Sequence, residues 1–271
     1  MKKFTAIALT TAALAGMLTM PAAALTKNGS WGEVPLYKGN ITIDGKADAI
    51  YAQGLTLDCS EDFRADLATD TTAKITLLHD GAHLYVLVDV KSANPLTDYN
   101  PKYDSAAQGH STTGAEVMID WSNDAAGQDD IHKYMGWFNS NIYGVFLASG
   151  KESATVADYK ATVDKNAKTW TGEFKLNLME GAKTGSEIGF NTMVNSDANM
   201  GAANDAKRQI CCMTPGVSNH GDKYKNVTLS AKEIKAPAAP AKAPATADPI
   251  GTALAALMLS GAAAAVLKKK K

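Results

Sequence analysis

The amino-acid sequence predicts an all-β protein, an antiparallel β-sandwich of the jelly-roll type with about eight to ten strands. Two observations support this fold class. Short runs in which apolar and polar residues alternate recur between turn residues, whereas the periodicity of amphipathic helices is hard to find. The segment His79-Asp80-Gly81 joins two apolar runs and is a strong hairpin signal, because glycine accepts the positive φ angles of tight turns.

The predicted strands follow one another along the chain with turns between them. A first strand near Ile41 enters a tight turn at Asp44-Gly45. Residues 75–78 and 84–90 are apolar on both faces, as central strands are. The other predicted strands comprise residues 115–121, 133–138, 142–147, 159–163, 169–178, 187–195 and 224–229. We expect Trp121 and Trp170 of these strands to lie in the core.

Residues 1–24 have the features of a secretory signal peptide. Two lysines follow Met1, an apolar run extends from Phe4 to Met20, and small residues suited to signal peptidase follow Pro21. The run is short for a membrane anchor and ends in a cleavage-like site. We therefore expect these residues to be removed and the folded domain to be extracellular.

Residues 236–271 have three parts that predict a surface anchor. Residues 236–249 form a Pro/Ala linker, and residues 250–267 are an uncharged apolar run just long enough to span a bilayer as a transmembrane helix. Four lysines form a basic tail, which favours the cytoplasmic side. This order resembles Gram-positive cell-wall sorting signals and implies either cleavage by sortase after Thr246 or a permanent membrane anchor. In both cases the domain is held at the cell membrane or cell wall, on its outer side.

The charge of the central domain, residues 25–235, argues against some partners. Of the 27 basic residues, seven lysines lie in the two ends, which contain one of the 28 acidic residues, Asp248; 20 basic and 27 acidic residues remain, a net charge of −7. This charge disfavours nucleic acid and anionic lipid as partners. No low-complexity segment divides the interior, so we expect one large domain.

The chain has three cysteines, Cys59, Cys211 and Cys212. In an exported protein an odd number leaves at least one cysteine unpaired or bonded outside the chain. Cys59 could join Cys211 or Cys212 and so link an early strand to a late one. The alternative is that all three remain buried thiols.

Five sequence motifs, in this order, resemble landmarks of the family 9 carbohydrate-binding modules and of the wider group of DOMON-like sandwiches. They are IDGKADAIY (43–51), AKITLLHDGAHLYVLVDVK (73–91), GAEVMID (114–120), WTGEFKLNL (170–178) and GSEIGFNTMVNSDAN (185–199). The resemblance extends over residues 41–229, nearly the whole central domain. It implies a β-sandwich that binds sugars and catalyses no reaction.

The resemblance also implies where a sugar would bind. In the family, two tryptophans enclose the sugar rings on a concave sheet face, and polar side chains bind the hydroxyl groups. Aromatic rings suit the apolar face of a pyranose, while carboxylates and amides suit its hydroxyls. Glu116 and Asn195 match two of the polar positions of the family. We therefore expect both residues to contact the ligand.

The positions of the two tryptophans are occupied differently in this chain. They fall near His110 and near the pair Asn219-His220. Trp137, which shares a strand face with Lys133, is a candidate replacement, as is Trp121. The predicted ligand-binding residues are therefore Trp137, Glu116, Asn195, His110, His220 and Lys133.

The turn within residues 119–130 offers oxygen ligands of the kind that Ca²⁺ prefers, among them Asp120, Asn123 and Asp124. Its spacing does not match the EF-hand loop, and a solvated turn without metal is the alternative. The resemblance to family 9 modules implies a structural Ca²⁺ and supports a metal site at this turn. No other cofactor is predicted.

The sequence contains no motif of a nucleophilic serine elbow, a zinc protease or a phosphate-binding loop. We therefore interpret the chain as a non-catalytic, surface-anchored module that binds a polysaccharide or oligosaccharide and aids polysaccharide degradation. One alternative is a haem-binding DOMON-like electron-transfer domain. Another is a structural or adhesive surface protein without a sugar site. The candidate haem ligands are Met118, Met135, Met193, His110 and His220.

Overall fold

The computed structural model describes residues 28–63, 70–96, 113–124, 127–138, 142–147, 158–196 and 209–237. Almost all of them lie in Met1–Lys235, the larger of the two compact units of the chain. The predicted signal peptide, the predicted transmembrane helix, Thr246 and His110 lie outside the described residues. Within the described ranges, no helix is both long enough and apolar enough to cross a membrane.

Strands dominate the described part of the chain, which contains thirteen of them and no α-helix. The all-β prediction is therefore confirmed for these residues. Among the same described residues, three short 3-10 helices lie at Ala49–Gln53, Gln128–Asp130 and Gly221–Lys223. The strands are β1 (Ser30–Leu36), β2 (Leu55–Cys59), β3 (Glu61–Asp62), β4 (Thr72–His79), β5 (His83–Lys91), β6 (Gly114–Asp120), β7 (Ile131–Trp137), β8 (Ile142–Leu147), β9 (Asp158–Asp164), β10 (Thr169–Asn177), β11 (Glu187–Ser196), β12 (Gln209–Cys212) and β13 (Lys225–Glu233).

Hydrogen bonds join the strands in the order β8-β7-β6-β11-β13-β1-β4-β5-β10-β9, with β2 beside β4, β12 beside β11 and β3 beside β12. β1 pairs along its length with β13 but meets β4 at a single residue pair, Leu36 and His79. The sheet folds over at this strand into two layers. We call β6, β7, β8, β11, β12 and β13 the front sheet, and β2, β4, β5, β9 and β10 the back sheet.

The prediction of a purely antiparallel sandwich is wrong at β1, which runs parallel to both β13 and β4. The sequence pattern also does not predict β1, β2, β3 and β12. β1 contains Gly32 and Pro35, two residues that weaken a strand signal, and its register with β13 shifts on either side of Val34. β3 and β12 are only two and four residues long. Such strands are specified by their partners rather than by a local pattern.

The core lies between the two sheets and follows from alternation along the strands. Trp121 and Trp170 are buried in it, which confirms the expectation for both residues. The indole N–H of Trp121 donates to the Tyr134 hydroxyl at 3.0 Å, so its polar atom is satisfied. The core also includes Val117, Ile119, Phe190 and Val194 from the front sheet and Ile75, Val86, Val88 and Phe174 from the back sheet.

Residues 41–53 cover the outer face of the back sheet; we call this segment the strap. The strand expected near Ile41 is not formed. Residues 41–43 pair with no strand of the sheet. The Thr42 N–H donates instead to the Asp48 side chain at 3.0 Å. The strap is held by burial of its apolar side chains against β4 and β5, in a cluster of Ile41, Ile50, Tyr51, Leu78, Tyr85 and Leu87.

Glu173 of β10 fixes the strap to the back sheet. Its side chain points away from the core, and its buried carboxylate accepts three hydrogen bonds from the strap. The Tyr51 hydroxyl donates to Oε1 at 3.0 Å. The main-chain N–H groups of Asp44 and Gly45 donate to Oε2 at 3.1 and 3.3 Å. Burial of a carboxylate is costly unless such donors replace water, so the Asp44-Gly45 turn compensates for the buried acid.

Position 45 requires glycine for two reasons. Its φ angle is +79°, in the left-handed region that favours glycine. A Cβ atom at this position would lie 2.6 Å from the main-chain carbonyl carbon of Ala161 on β9. The Thr162 hydroxyl also donates to the Gly45 carbonyl oxygen at 2.7 Å. The turn therefore packs directly on the backbone of β9.

Burial raises the pKa of Glu173 to about 7, although the hydrogen bonds from the strap oppose this shift. The ordinary pKa of the group is 4.5. The folded state therefore binds its proton more tightly than the unfolded state does. It follows that this group favours folding at acidic pH and that its contribution is lost as the pH rises through about 7.

We expect the free energy of unfolding in urea to fall between about pH 5 and pH 8 because of Glu173. The variant Glu173→Gln has no titrating group at this position and should show a flatter pH dependence. Glu33→Gln, at an exposed position of β1, is the matched control and should keep the slope of the parent chain. Equal slopes for the parent and for Glu173→Gln would contradict this assignment.

Candidate functional site

Three polar side chains converge on the outer face of the front sheet. β6 lies between β7 and β11, so that Glu116 is flanked in register by Met135 and Met193. Val117 and Val194 of these strands point into the core, and alternation therefore directs Glu116 and Asn195 to the opposite face. Lys133 of β7 lies on that same outer face.

Both oxygens of the Glu116 carboxylate are engaged in this cluster. The Lys133 ammonium lies 3.0 Å from Oε2, and the Asn195 amide N–H donates to Oε1 at 3.0 Å. Glu116 and Asn195 are 1% exposed and Lys133 is 9% exposed. A charge buried to this extent requires an opposite charge and further hydrogen bonds. The three residues therefore form one unit in which each member holds the others in place.

Residues 217–224 pack on the same face; we call them the closing segment. The Asn219 side-chain oxygen accepts a hydrogen bond from Lys133 at 3.3 Å. Asn191 of β11 donates to the Val217 carbonyl oxygen at 2.7 Å, and the Tyr224 hydroxyl donates to the Ser218 carbonyl oxygen. Asn219 is thus a fourth member of the polar cluster. In the sequence it lies near an expected tryptophan position, but it is not among the predicted ligand-binding residues.

The polar cluster borders an apolar patch on the outer face of the front sheet. It contains two methionines, Met118 and Met193, whose flexible thioether side chains adapt to irregular surfaces. The patch consists of Met118, Ile131, Met193, Ile210, Cys212, Val217 and Tyr224.

Trp137 lies at the end of β7, two positions from Met135 on the same strand face. Its register partner on β6 is Gly114, where a Cβ atom would lie only 3.0 Å from the Trp137 ring. The missing side chain at position 114 therefore makes room for the indole. Trp137 is 2% exposed, and its carbonyl oxygen accepts a hydrogen bond from the Tyr159 hydroxyl at 2.7 Å.

The front sheet thus brings four of the predicted ligand-binding residues to one face, namely Trp137, Glu116, Asn195 and Lys133. His220 is exposed and precedes the 3-10 helix Gly221–Lys223, where its carbonyl oxygen accepts from the Lys223 N–H. Within the described residues, no hydrogen bond joins its ring to the polar cluster. His110 lies outside the described residues.

The predicted calcium ligands lie in the turn after β6. Asp120 Oδ1 accepts from the Ser122 hydroxyl at 3.0 Å and from the Asn123 N–H at 2.8 Å. Asp124 is exposed. In the described parts of the chain, no group of three or more His, Cys, Asp or Glu side chains is placed to hold a metal ion. The calcium site stays a prediction.

Residues 43–231 match the family model described as "Carbohydrate family 9 binding domain-like". The chain belongs to this family. The resemblance that the five sequence motifs indicate is thereby confirmed. No curated protein matches the chain.

Solved structures that share the fold include two family 9 modules. A family 9 module from Caldicellulosiruptor kristjanssonii in complex with cellotriose matches with a TM-score of 0.54 and 21% identity, over 78% of this chain and 100% of that chain. A module from the same organism in complex with glucose matches equally well, at 20% identity with the same coverage. A proposed carbohydrate-binding protein from Bacteroides uniformis matches with a TM-score of 0.53 and 8% identity, over 75% of this chain and 100% of that chain.

The calcium prediction can be tested by thermal unfolding. A metal ion that binds the folded chain but not the unfolded chain stabilises the protein. If Asp120, Asn123 and Asp124 bind Ca²⁺ in this way, added Ca²⁺ raises the melting temperature and a chelator lowers it. The variant Asp124→Asn removes one charged ligand at an exposed position and should reduce the rise. An unchanged melting temperature with Ca²⁺ and with chelator would reject the site.

Proposed function

We propose that the chain is a non-catalytic module that binds an oligosaccharide or polysaccharide on the outer face of its front sheet. The observation that carries the proposal is the Glu116 carboxylate, which Lys133 and Asn195 hold in one orientation on the same face as Trp137. Membership of the family supports this function. In this proposal the face binds sugar, and no group on it acts as a nucleophile or a general acid.

The chemistry of the face suits a sugar. Carboxylate, ammonium and amide groups form directional hydrogen bonds with hydroxyl groups. An indole ring offers a flat apolar surface for the C–H face of a pyranose. Because Glu116, Lys133 and Asn195 are already bonded to each other, they would meet the ligand in fixed positions, and less entropy is lost on binding. Glu116, Lys133, Asn195 and Trp137 are all buried. A sugar therefore reaches them only when the side chains packed over this face move aside.

The solved complexes of the Caldicellulosiruptor modules contain cellotriose and glucose. For this chain we propose a ligand of the same chemical class, a glucose-containing oligosaccharide. Cellotriose is therefore the probe for the first binding experiment.

We expect titration of the full chain with cellotriose in a calorimeter to give a saturable heat of binding. The double variant Glu116→Gln/Lys133→Met should bind roughly tenfold more weakly or worse, because it loses two charged hydrogen-bonding groups. Removing both charges together avoids leaving one buried charge without its partner. The double variant should therefore unfold at a temperature closer to that of the parent than Lys133→Met alone does.

The control for this experiment is Asp89→Asn on the outer face of the back sheet, where the Asp89 carboxylate accepts from the Thr171 hydroxyl. This variant should bind cellotriose like the parent. Equal binding by the parent and by the folded double variant would reject the proposed face. Absence of binding together with a Soret absorption band would favour the haem alternative, and absence of both would favour a structural or adhesive role.

We further propose that the module is displayed at the cell surface. The linker, apolar run and basic tail of residues 236–271 support this, because together they resemble a wall-sorting signal. A folded sugar-binding domain on such an anchor would hold polysaccharide close to the cell and aid its degradation.

Mass spectrometry of the protein released from intact cells tests the anchor. Cleavage by sortase should give a chain that ends at Thr246. A released chain that keeps its four C-terminal lysines would contradict sorting and leave the apolar run as a permanent anchor.

A further inference from the structure

Two cysteines from different sheets lie side by side where the chain crosses between the layers. Cys59 is the last residue of β2 in the back sheet, and Cys211 lies in β12 of the front sheet. Both side chains are fully buried, and their sulfur atoms are 3.7 Å apart. They are separated by 152 positions in the sequence. Their contact is therefore a product of the tertiary fold.

The path of the chain explains this contact. After Cys59, the chain crosses at Ser60 from the back sheet to the front sheet and forms β3. β3 then pairs antiparallel with β12, with Cys211 opposite Asp62 and Cys212 opposite Glu61. The crossing brings the end of β2 against β12.

Alternation along β12 selects one of the two adjacent cysteines as the partner. Cys211 points into the main core together with Cys59. Cys212 points to the opposite face, into the apolar patch with Met118. Its thiol donates to the Glu61 carbonyl oxygen at 3.4 Å. A bond from Cys59 to Cys212 would require β12 to turn over, whereas a bond to Cys211 requires only rotation of the two side chains.

We propose that Cys59 and Cys211 form an intramolecular disulfide when the chain meets a thiol oxidant, and that Cys212 keeps its thiol. In the reaction, the two thiols lose two protons and two electrons and one sulfur–sulfur bond forms. A small-molecule disulfide accepts the electrons: its own sulfur–sulfur bond breaks, and it leaves as two thiols.

The environment of the pair determines when this reaction occurs. The hydrogen bond between the two thiols and their burial raise the pKa of Cys59, and a thiol reacts only as its thiolate. The exchange therefore takes place during folding or when the two-residue strand β3 opens. Once formed, the bond closes a loop of about 150 residues, and it constrains the unfolded chain strongly.

The cross-link also bears on the candidate site. β12 pairs with β11, and Ile210 of β12 lies opposite Asn195, which bonds to Glu116. A disulfide that attaches β12 to the back sheet therefore fixes the strand that lies next to Asn195.

The experiment oxidises the full chain with oxidised glutathione, blocks the remaining thiols with an alkylating reagent and maps the peptides by tandem mass spectrometry. We expect one linked pair of peptides that joins Cys59 to Cys211, with the alkyl group on Cys212. The oxidised chain should melt roughly 5–10 °C above the reduced chain.

Two alanine variants keep the test decisive. Cys212→Ala should still form the linked peptides and show the rise in melting temperature, whereas Cys211→Ala should show neither. Circular dichroism confirms that each variant is folded before oxidation. A bond between Cys59 and Cys212, a covalent dimer, or no linked peptide in the folded parent would each overturn the proposal.

Discussion

The carboxylate of Glu173 is buried on the outer face of the back sheet, and a buried carboxylate must be supplied with hydrogen-bond donors. The strap supplies three of them, two from the main chain of the Asp44-Gly45 turn and one from Tyr51. This requirement determines the conformation of the turn, the need for glycine at position 45 and the place of the strap. The sequence IDGKADAIY is therefore a structural element, which stabilises the sandwich at a distance from the candidate site.

The carboxylate of Glu116 is buried on the front sheet and also requires hydrogen-bond donors, but its donors are of a different kind. Its donors are the side chains of Lys133 and Asn195 rather than main-chain N–H groups. Side-chain donors can exchange partners with a ligand, while the main-chain groups of a tight turn are held by the fold. This difference explains why we assign a structural role to Glu173 and a binding role to Glu116, although both are buried acids on strands of one domain.

Some parts of the fold were predictable because the signal is local. The strands around residues 75–78 and 84–90 were predicted from their apolar runs, and alternation placed Trp121 and Trp170 in the core. The strand expected near Ile41 is absent because a nearby carboxylate and an apolar cluster hold this segment in place of a ladder. β1 was missed because its partner β13 lies almost 200 positions away in the sequence. A pattern of neighbouring residues contains no information about such a pairing.

The sequence by itself determined the fold class, the family and the strand face that Trp137 shares with Lys133, since alternation is a property of the chain alone. Only the tertiary structure decided which of those residues meet. The contact of Glu116 with Lys133 and Asn195 depends on β6 lying between β7 and β11, and the contact of Lys133 with Asn219 depends on the closing segment. Likewise, the choice of Cys211 over Cys212 follows from the crossing at Ser60. Strand order and crossings are set by the packing of distant segments, which the spacing of residues does not encode.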